Sequence, residues 1–173
     1  MINDLDVIFS HGQESGPWGS KITAMAAMVR DLGARADSVD YQGMADPGER
    51  VDKLVGVLGR TDHPVILVGS SMGGHVATAA SGRHEVDGVF VLAPAYYMPG
   101  YESLTPPPPD CPLEIVHGWG DDVVPVENSL RFAREAKATL HVLDGDHRLT
   151  ANIDTINALL RLFIERVAGR RGA

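Results

Sequence analysis

A serine, an aspartate and a histidine able to build a nucleophilic site follow one another along this chain of 173 residues. The serine is Ser71, in Gly69-Ser70-Ser71-Met72-Gly73. That frame, G-x-S-x-G, places a hydroxyl on a sharp turn between a strand and a helix. It separates the two adjacent serines: Ser71 is flanked at two residues' distance by Gly69 and Gly73, Ser70 by Val68 and Met72. A serine hydroxyl is a weak nucleophile at neutral pH and needs a general base within hydrogen-bond reach. The same Gly-Ser turn would also suit a phosphate at a helix N-terminus, so the partners decide its chemistry.

The base candidate is His147, in Asp144-Gly145-Asp146-His147-Arg148-Leu149. Of the seven histidines, it is the one that follows a strand end and lies downstream of both other candidates. His63 and His84 lie in polar turns, His75 on the helix after Ser71, and His141 inside a strand. His11 and His117 precede glycines at strand ends and are expected to hold loops by hydrogen bonds. The acid that orients the imidazole is Asp121 or Asp122, only one of which can point inward. The oxyanion of an attacked carbonyl needs two backbone N–H donors. Met72, after the nucleophile, and Gln13, in His11-Gly12-Gln13-Glu14, are the expected pair.

The elements that must position these groups follow from the apolar pattern. Strands are predicted at 5–10, weakly at 36–40, and at 64–69, 86–92, 113–116 and 139–143. Apolar residues at helical spacing predict helices over 21–32, 49–58, 72–81, 126–136 and 149–167, with 168–173 a frayed tail. The segment 96–112, with Pro106 to Pro109, excludes a helix and is too short for a cap domain. Strands alternating with helices predict a single-domain α/β three-layer sandwich over 1–173. Its mostly parallel sheet has about six strands and no cap. In such a sheet the ligand lies beyond the carboxyl ends of the strands, where Gln13, Ser71, the aspartates and His147 would converge.

Composition narrows the partners. Hydrophobic residues are 44% and charged residues 22%, as in an ordinary globular protein. A net charge of −8 argues against nucleic acid and anionic membranes. No apolar run reaches the ~18 residues of a membrane span, and the N-terminus lacks a signal-peptide pattern. The single cysteine, Cys111, reads as a structural thiol, and a cytoplasmic location is expected. His117 and Asp121 have no third residue at metal-ligand spacing, so no metal and no organic cofactor are expected.

Four ordered motifs resemble the α/β-hydrolase superfamily along nearly the whole chain. They are Ser10-His11-Gly12-Gln13, Gly69-Ser70-Ser71-Met72-Gly73-Gly74, His117-Gly118-Trp119-Gly120-Asp121-Asp122-Val123-Val124-Pro125 and Gly145-Asp146-His147. In that family the acid follows an HG-x-x motif and precedes Val-Pro, so the resemblance selects Asp121. It places the nucleophile on Ser71 and the base on His147. It also implies a short, lidless member, lacking the family's leading hairpin and having six strands rather than eight. The expected activity is a serine hydrolase acting on a small carboxylic ester. The alternatives are a thioesterase or amidase with the same triad, or a non-catalytic binding protein of the same fold. Trp18, Tyr96, Tyr97, Met98 and Trp119 are the expected pocket wall. The expected partner is a small-molecule ester or thioester, bound by a monomer or a homo-oligomer, with no nucleic acid and no membrane.

Overall fold

The structure, a computed structural model, describes residues 2–171. Six strands pair in parallel in the order β2-β1-β3-β4-β5-β6. They are β1 (Asp6–Ser10), β2 (Arg35–Val39), β3 (Val65–Ser70), β4 (Gly88–Leu92), β5 (Leu113–Gly118) and β6 (Thr139–Leu143). The helices are α1 (Ser20–Asp31), α2 (Pro47–Leu58), α3 (Met72–Ser81), α4 (Val126–Ala136) and α5 (Ile153–Arg171). No helix among the described residues is long and apolar enough to cross a membrane.

The alternation of side chains along each strand sorts the core into two layers. Val7 and Phe9 of β1, Ile66 and Val68 of β3, and Phe90 and Leu92 of β4 pack against α1 and α5. Ile8, Leu67, Val89 and Val91, one residue out of phase, pack against α2, α3 and α4. β1 and β3 are adjacent although β2 lies between them in sequence. The chain therefore runs outward from β1 in one direction and returns past it to build the rest of the sheet. The loops after β1 and β3 meet at this reversal, where α/β sheets open a crevice at their carboxyl edge.

The last helix departs from the sequence expectation at both ends. It was expected to begin at Leu149, but Leu149 has a left-handed φ of 55° and precedes a 3-10 turn at Thr150–Asn152. Its side chain is buried, which gives it the apolar signature of a helical core position. Its N–H, however, is taken by Asp146 Oδ1 at 2.9 Å in a side-chain-closed turn. At the far end the helix continues to Arg171, whose guanidinium pairs with Asp87, where fraying was expected from 168. Residues 172 and 173 of that expected tail lie outside the described residues. The proline run is not helical, as expected, but a 3-10 turn at Glu102–Leu104 precedes it.

Candidate active site

The turn from β3 into α3 carries Ser71 at φ 54°, ψ −120°. A non-glycine residue there costs on the order of 1–3 kcal/mol and persists only when its surroundings over-determine it. They do so here. Ser71 N–H donates to Leu92 O at 2.9 Å, and Ser71 O accepts from Gly74 N and Ala95 N, both at 3.0 Å. The flanking glycines are required by backbone contact. A Cβ at Gly69 would overlap the Gly73 carbonyl, and a Cβ at Gly73 would overlap the Ser10 carbonyl. The turn is thus pressed against the end of β1.

His147 Nε2 lies 3.1 Å from Ser71 Oγ, and its Nδ1 lies 2.8 Å from Asp121 Oδ2. Asp121 Oδ1 accepts from Val123 N at 2.9 Å and Val124 N at 2.8 Å. The Asp121 side chain is fully buried, while that of His147 remains 19% exposed. Burial pushes the Asp121 carboxyl up, but the His147 hydrogen bond and the two backbone donors outweigh it and hold its pKa below the usual value. An ionised Asp121 accepts from Nδ1–H, which leaves the Nε2 lone pair to accept from the serine hydroxyl. Asp122 is exposed and takes no part.

Asp121 and His147 lie on loops that are joined to each other. Trp119 N donates to Leu143 O and Gly120 N to Gly145 O, each at 2.9 Å. A Cβ at Gly118 would overlap the Gly145 carbonyl, so the two loops pack backbone against backbone. Inside this joint lies His117, fully buried. Its Nε2 faces both Val124 O at 2.9 Å and Asp121 Oδ2 at 3.1 Å, while Nδ1 meets Ser129 Oγ at 2.7 Å. Its loop-holding role was legible in the sequence. Its contact with Asp121 was not, although the i, i+4 separation within one turn was a usable signal.

Gly12 lies against the serine: a Cβ built on it would be 3.6 Å from Ser71 Cβ. Among the described residues, neither Gln13 N–H nor Met72 N–H donates to a protein acceptor. His11 is buried; its Nδ1 donates to Gly12 O at 2.7 Å and its Nε2 accepts from Tyr41 N at 2.8 Å. Burial is the main cause of its lowered pKa, which suits the neutral ring that these two bonds require. Lys21, in the first turn of α1, reaches Ser70 Oγ at 3.3 Å, and burial pushes its pKa down to about 8. Lys21, Tyr41 and Arg50 were missed by sequence reasoning. A lysine opening the helix after the first loop was the one available hint.

Of the five expected wall residues, Tyr96 and Tyr97 are held by the core and by α4. Tyr96 is sealed in the core, stacked on Phe132 at 4.0 Å between ring centroids, with its hydroxyl 2.6 Å from Thr78 Oγ1. It offers no surface to a substrate. Tyr97 turns onto α4, under the Arg131 guanidinium and bonded to Glu135. Met98 is half-buried. Trp18 is exposed and lies over the Arg30 guanidinium on α1, and Trp119 is 62% exposed on the loop that carries Asp121. Burial pushes the Cys111 thiol up to about 11, which makes it a poor nucleophile.

The sequence and fold have known counterparts. A sequence model of the alpha/beta hydrolase family matches residues 7–169. The mitochondrial palmitoyl-protein thioesterase ABHD10 of Mus musculus is 27% identical over 209 residues, covering 86% of this chain and 70% of that protein. A crystal structure from Xanthomonas campestris pv. campestris, described as a hydrolase of the alpha/beta superfamily, superposes with a TM-score of 0.83. It is 27% identical and covers 95% of this chain and 98% of its own. A second Xanthomonas campestris structure, described as an a/b serine hydrolase without a lid, shares the fold at TM-score 0.78. It is 21% identical and covers 94% of this chain and 82% of its own. The match across nearly the whole chain, on a six-stranded parallel sheet with a strained serine at the end of β3, makes this protein a hydrolase of the alpha/beta hydrolase family.

Proposed function

We propose that this chain is a serine hydrolase that cleaves a carboxylic ester through an acyl-enzyme on Ser71. Ser71 Oγ attacks the carbonyl carbon while His147 Nε2 takes the hydroxyl proton. Asp121 accepts from Nδ1–H and stabilises the imidazolium. The N–H groups of Met72 and Gln13 receive the negative charge on the carbonyl oxygen. The tetrahedral adduct then collapses: the carbonyl re-forms, the bond to the leaving group breaks, and His147 returns its proton to that group. Water, deprotonated by His147, repeats the sequence on the acyl-serine and releases the acid.

The observation that carries this reading is the unbroken hydrogen-bonded line Ser71–His147–Asp121, with its serine held at positive φ. A structural serine has no need of a buried carboxylate behind its imidazole. A fluorophosphonate probe tests it. The wild type is expected to label stoichiometrically and Ser71→Ala not at all; equal labelling of the two would remove Ser71 from its role.

A second reading is cleavage of a thioester, favoured by the 27% identity to a protein named as a palmitoyl-protein thioesterase. The line of groups serves either leaving atom, since a thiolate needs less protonation than an alkoxide. A panel of p-nitrophenyl esters, acyl-CoA thioesters and peptide amides separates the alternatives by kcat/KM. We assign the acyl group to the open rim beside Trp119, whose ring is the most exposed aromatic surface on the acid loop. Trp119→Ala is expected to raise KM for long acyl chains more than for acetyl esters.

A further inference from the structure

Arg50 is 2% exposed, among the most deeply buried side chains of the protein. A buried guanidinium is ordinarily neutralised by a carboxylate, because an uncompensated charge in the interior is costly. Among the described residues Arg50 pairs with none. Its Nε donates to Met44 O at 2.8 Å, and its Nη1 donates to His11 O at 3.3 Å and Gly12 O at 3.1 Å. The ring of Tyr41 faces it, 5.2 Å from the guanidinium carbon to the centroid. Arg50 is placed by the start of α2. Asp46 caps that helix by accepting from Gly48 N at 3.0 Å, with Pro47 in the first turn.

The Gly12 carbonyl is the informative partner. It takes Nη1 of Arg50 at 3.1 Å, Nδ1 of His11 at 2.7 Å and, at the longer distance of 3.4 Å, the hydroxyl of Ser15. The peptide that follows is trans, so its C=O and N–H point in opposite directions. Donors that hold the Gly12 oxygen toward the interior therefore turn the Gln13 N–H outward, away from Arg50. That peptide runs beside Ser71, as the 3.6 Å from a Gly12 Cβ to Ser71 Cβ shows. A cationic donor on a carbonyl also polarises its amide, which strengthens the N–H on the far side.

We propose that Arg50 is a positioning residue of the oxyanion site: it clamps the Gly12–Gln13 peptide so that Gln13 N–H faces the carbonyl oxygen attacked by Ser71. The inference rests on the serine-hydrolase reading above. It also explains a buried arginine without a counter-charge, since a carboxylate there would compete with the Gly12 carbonyl for the guanidinium and oppose the developing negative charge.

Arg50→Lys and Arg50→Met test it, with active sites counted by the endpoint of fluorophosphonate labelling. Lysine keeps the charge but lacks the planar fork that bonds several carbonyls at once. In Arg50→Lys, kcat per titrated serine is expected to fall about tenfold with KM within about twofold. Removing one oxyanion donor outright costs about 100-fold or more, and Arg50→Met is expected to approach that. Affinity for a trifluoromethyl ketone, which forms a tetrahedral adduct on serine, should fall in proportion to kcat in both. Wild-type kcat and ketone affinity in folded Arg50→Lys would overturn the proposal, whatever the fate of Arg50→Met. So would a variant that loses only thermal stability. Absence of labelling or hydrolysis in the wild type would instead remove the hydrolase reading itself.

Discussion

At the amino-terminal end of the strands, a groove of about 810 Å3 is lined by Asp6, Arg35, Thr61 and His63 among others. At the carboxyl end lies the surface around Ser71. In the groove Asp6 pairs with Arg35 and accepts from Thr61 Oγ1, so its charge is already met by neighbours. At the carboxyl end compensation is incomplete. Lys21 is bonded to a serine hydroxyl, Arg50 to carbonyls, and Gln13 and Met72 keep free N–H groups among the described residues. What sets the two ends apart is unsatisfied polar capacity, because only such groups respond to charge that develops during a reaction.

The contrast breaks most directly at His147. His147→Ala is expected to lower kcat by about 10⁴- to 10⁶-fold with little change in thermal midpoint, as the ring is partly exposed. Steady-state hydrolysis of p-nitrophenyl acetate beside a circular-dichroism melt checks both. Asp121→Asn should cost about 10⁴-fold at neutral pH, because an amide donating to Nδ1 favours the wrong tautomer. Activity within tenfold of wild type would show that His117 or a backbone carbonyl can orient the ring instead.

Smaller effects sharpen the comparison. Gly73→Ala drives a methyl into the Ser10 carbonyl and is expected to destabilise by about 3 kcal/mol or more, read from urea midpoints. Lys21 has a folded-state pKa of about 8 against an ordinary 10.5, mainly through burial. Between those values the unfolded chain binds the extra proton, so stability rises with pH across that window. The rise, on the order of 1 kcal/mol after solvent screening, should vanish in Lys21→Met when unfolding at pH 8 and pH 10 is compared. At the other end of the sheet, Asp6→Asn should lower stability by about 1 kcal/mol or less and leave kcat unchanged. A fall in kcat there would undo the distinction between the two ends.

Much of this architecture is legible in the residues, since both periodicities are strong. The α3 and α4 boundaries, 72–81 and 126–136, follow directly from apolar spacing. The start of α5 was misplaced because Leu149 is buried without being helical, and burial is all that apolar spacing reports. Tyr96 misled in a similar way. A tyrosine after a strand end is as consistent with a core hydroxyl paired to Thr78 as with a pocket wall. Arg50 carried no motif at all, because its partners are main-chain carbonyls that any sequence would present.

Local rules acting within a few residues were enough to set the strand and helix alternation, the G-x-S-x-G turn, and the serine–acid–histidine order. Steric and periodic constraints of that kind are written in neighbouring side chains. Distances across the sheet edge were decided only by the tertiary structure. It brought Ser71, Asp121 and His147 within hydrogen-bond reach across 76 and 26 residues of chain. It also set Arg50 beneath the Gly12 peptide, 38 residues away in sequence. Those contacts depend on strand order and on which backbone atoms a fold leaves facing one another, and no spacing along the chain encodes them.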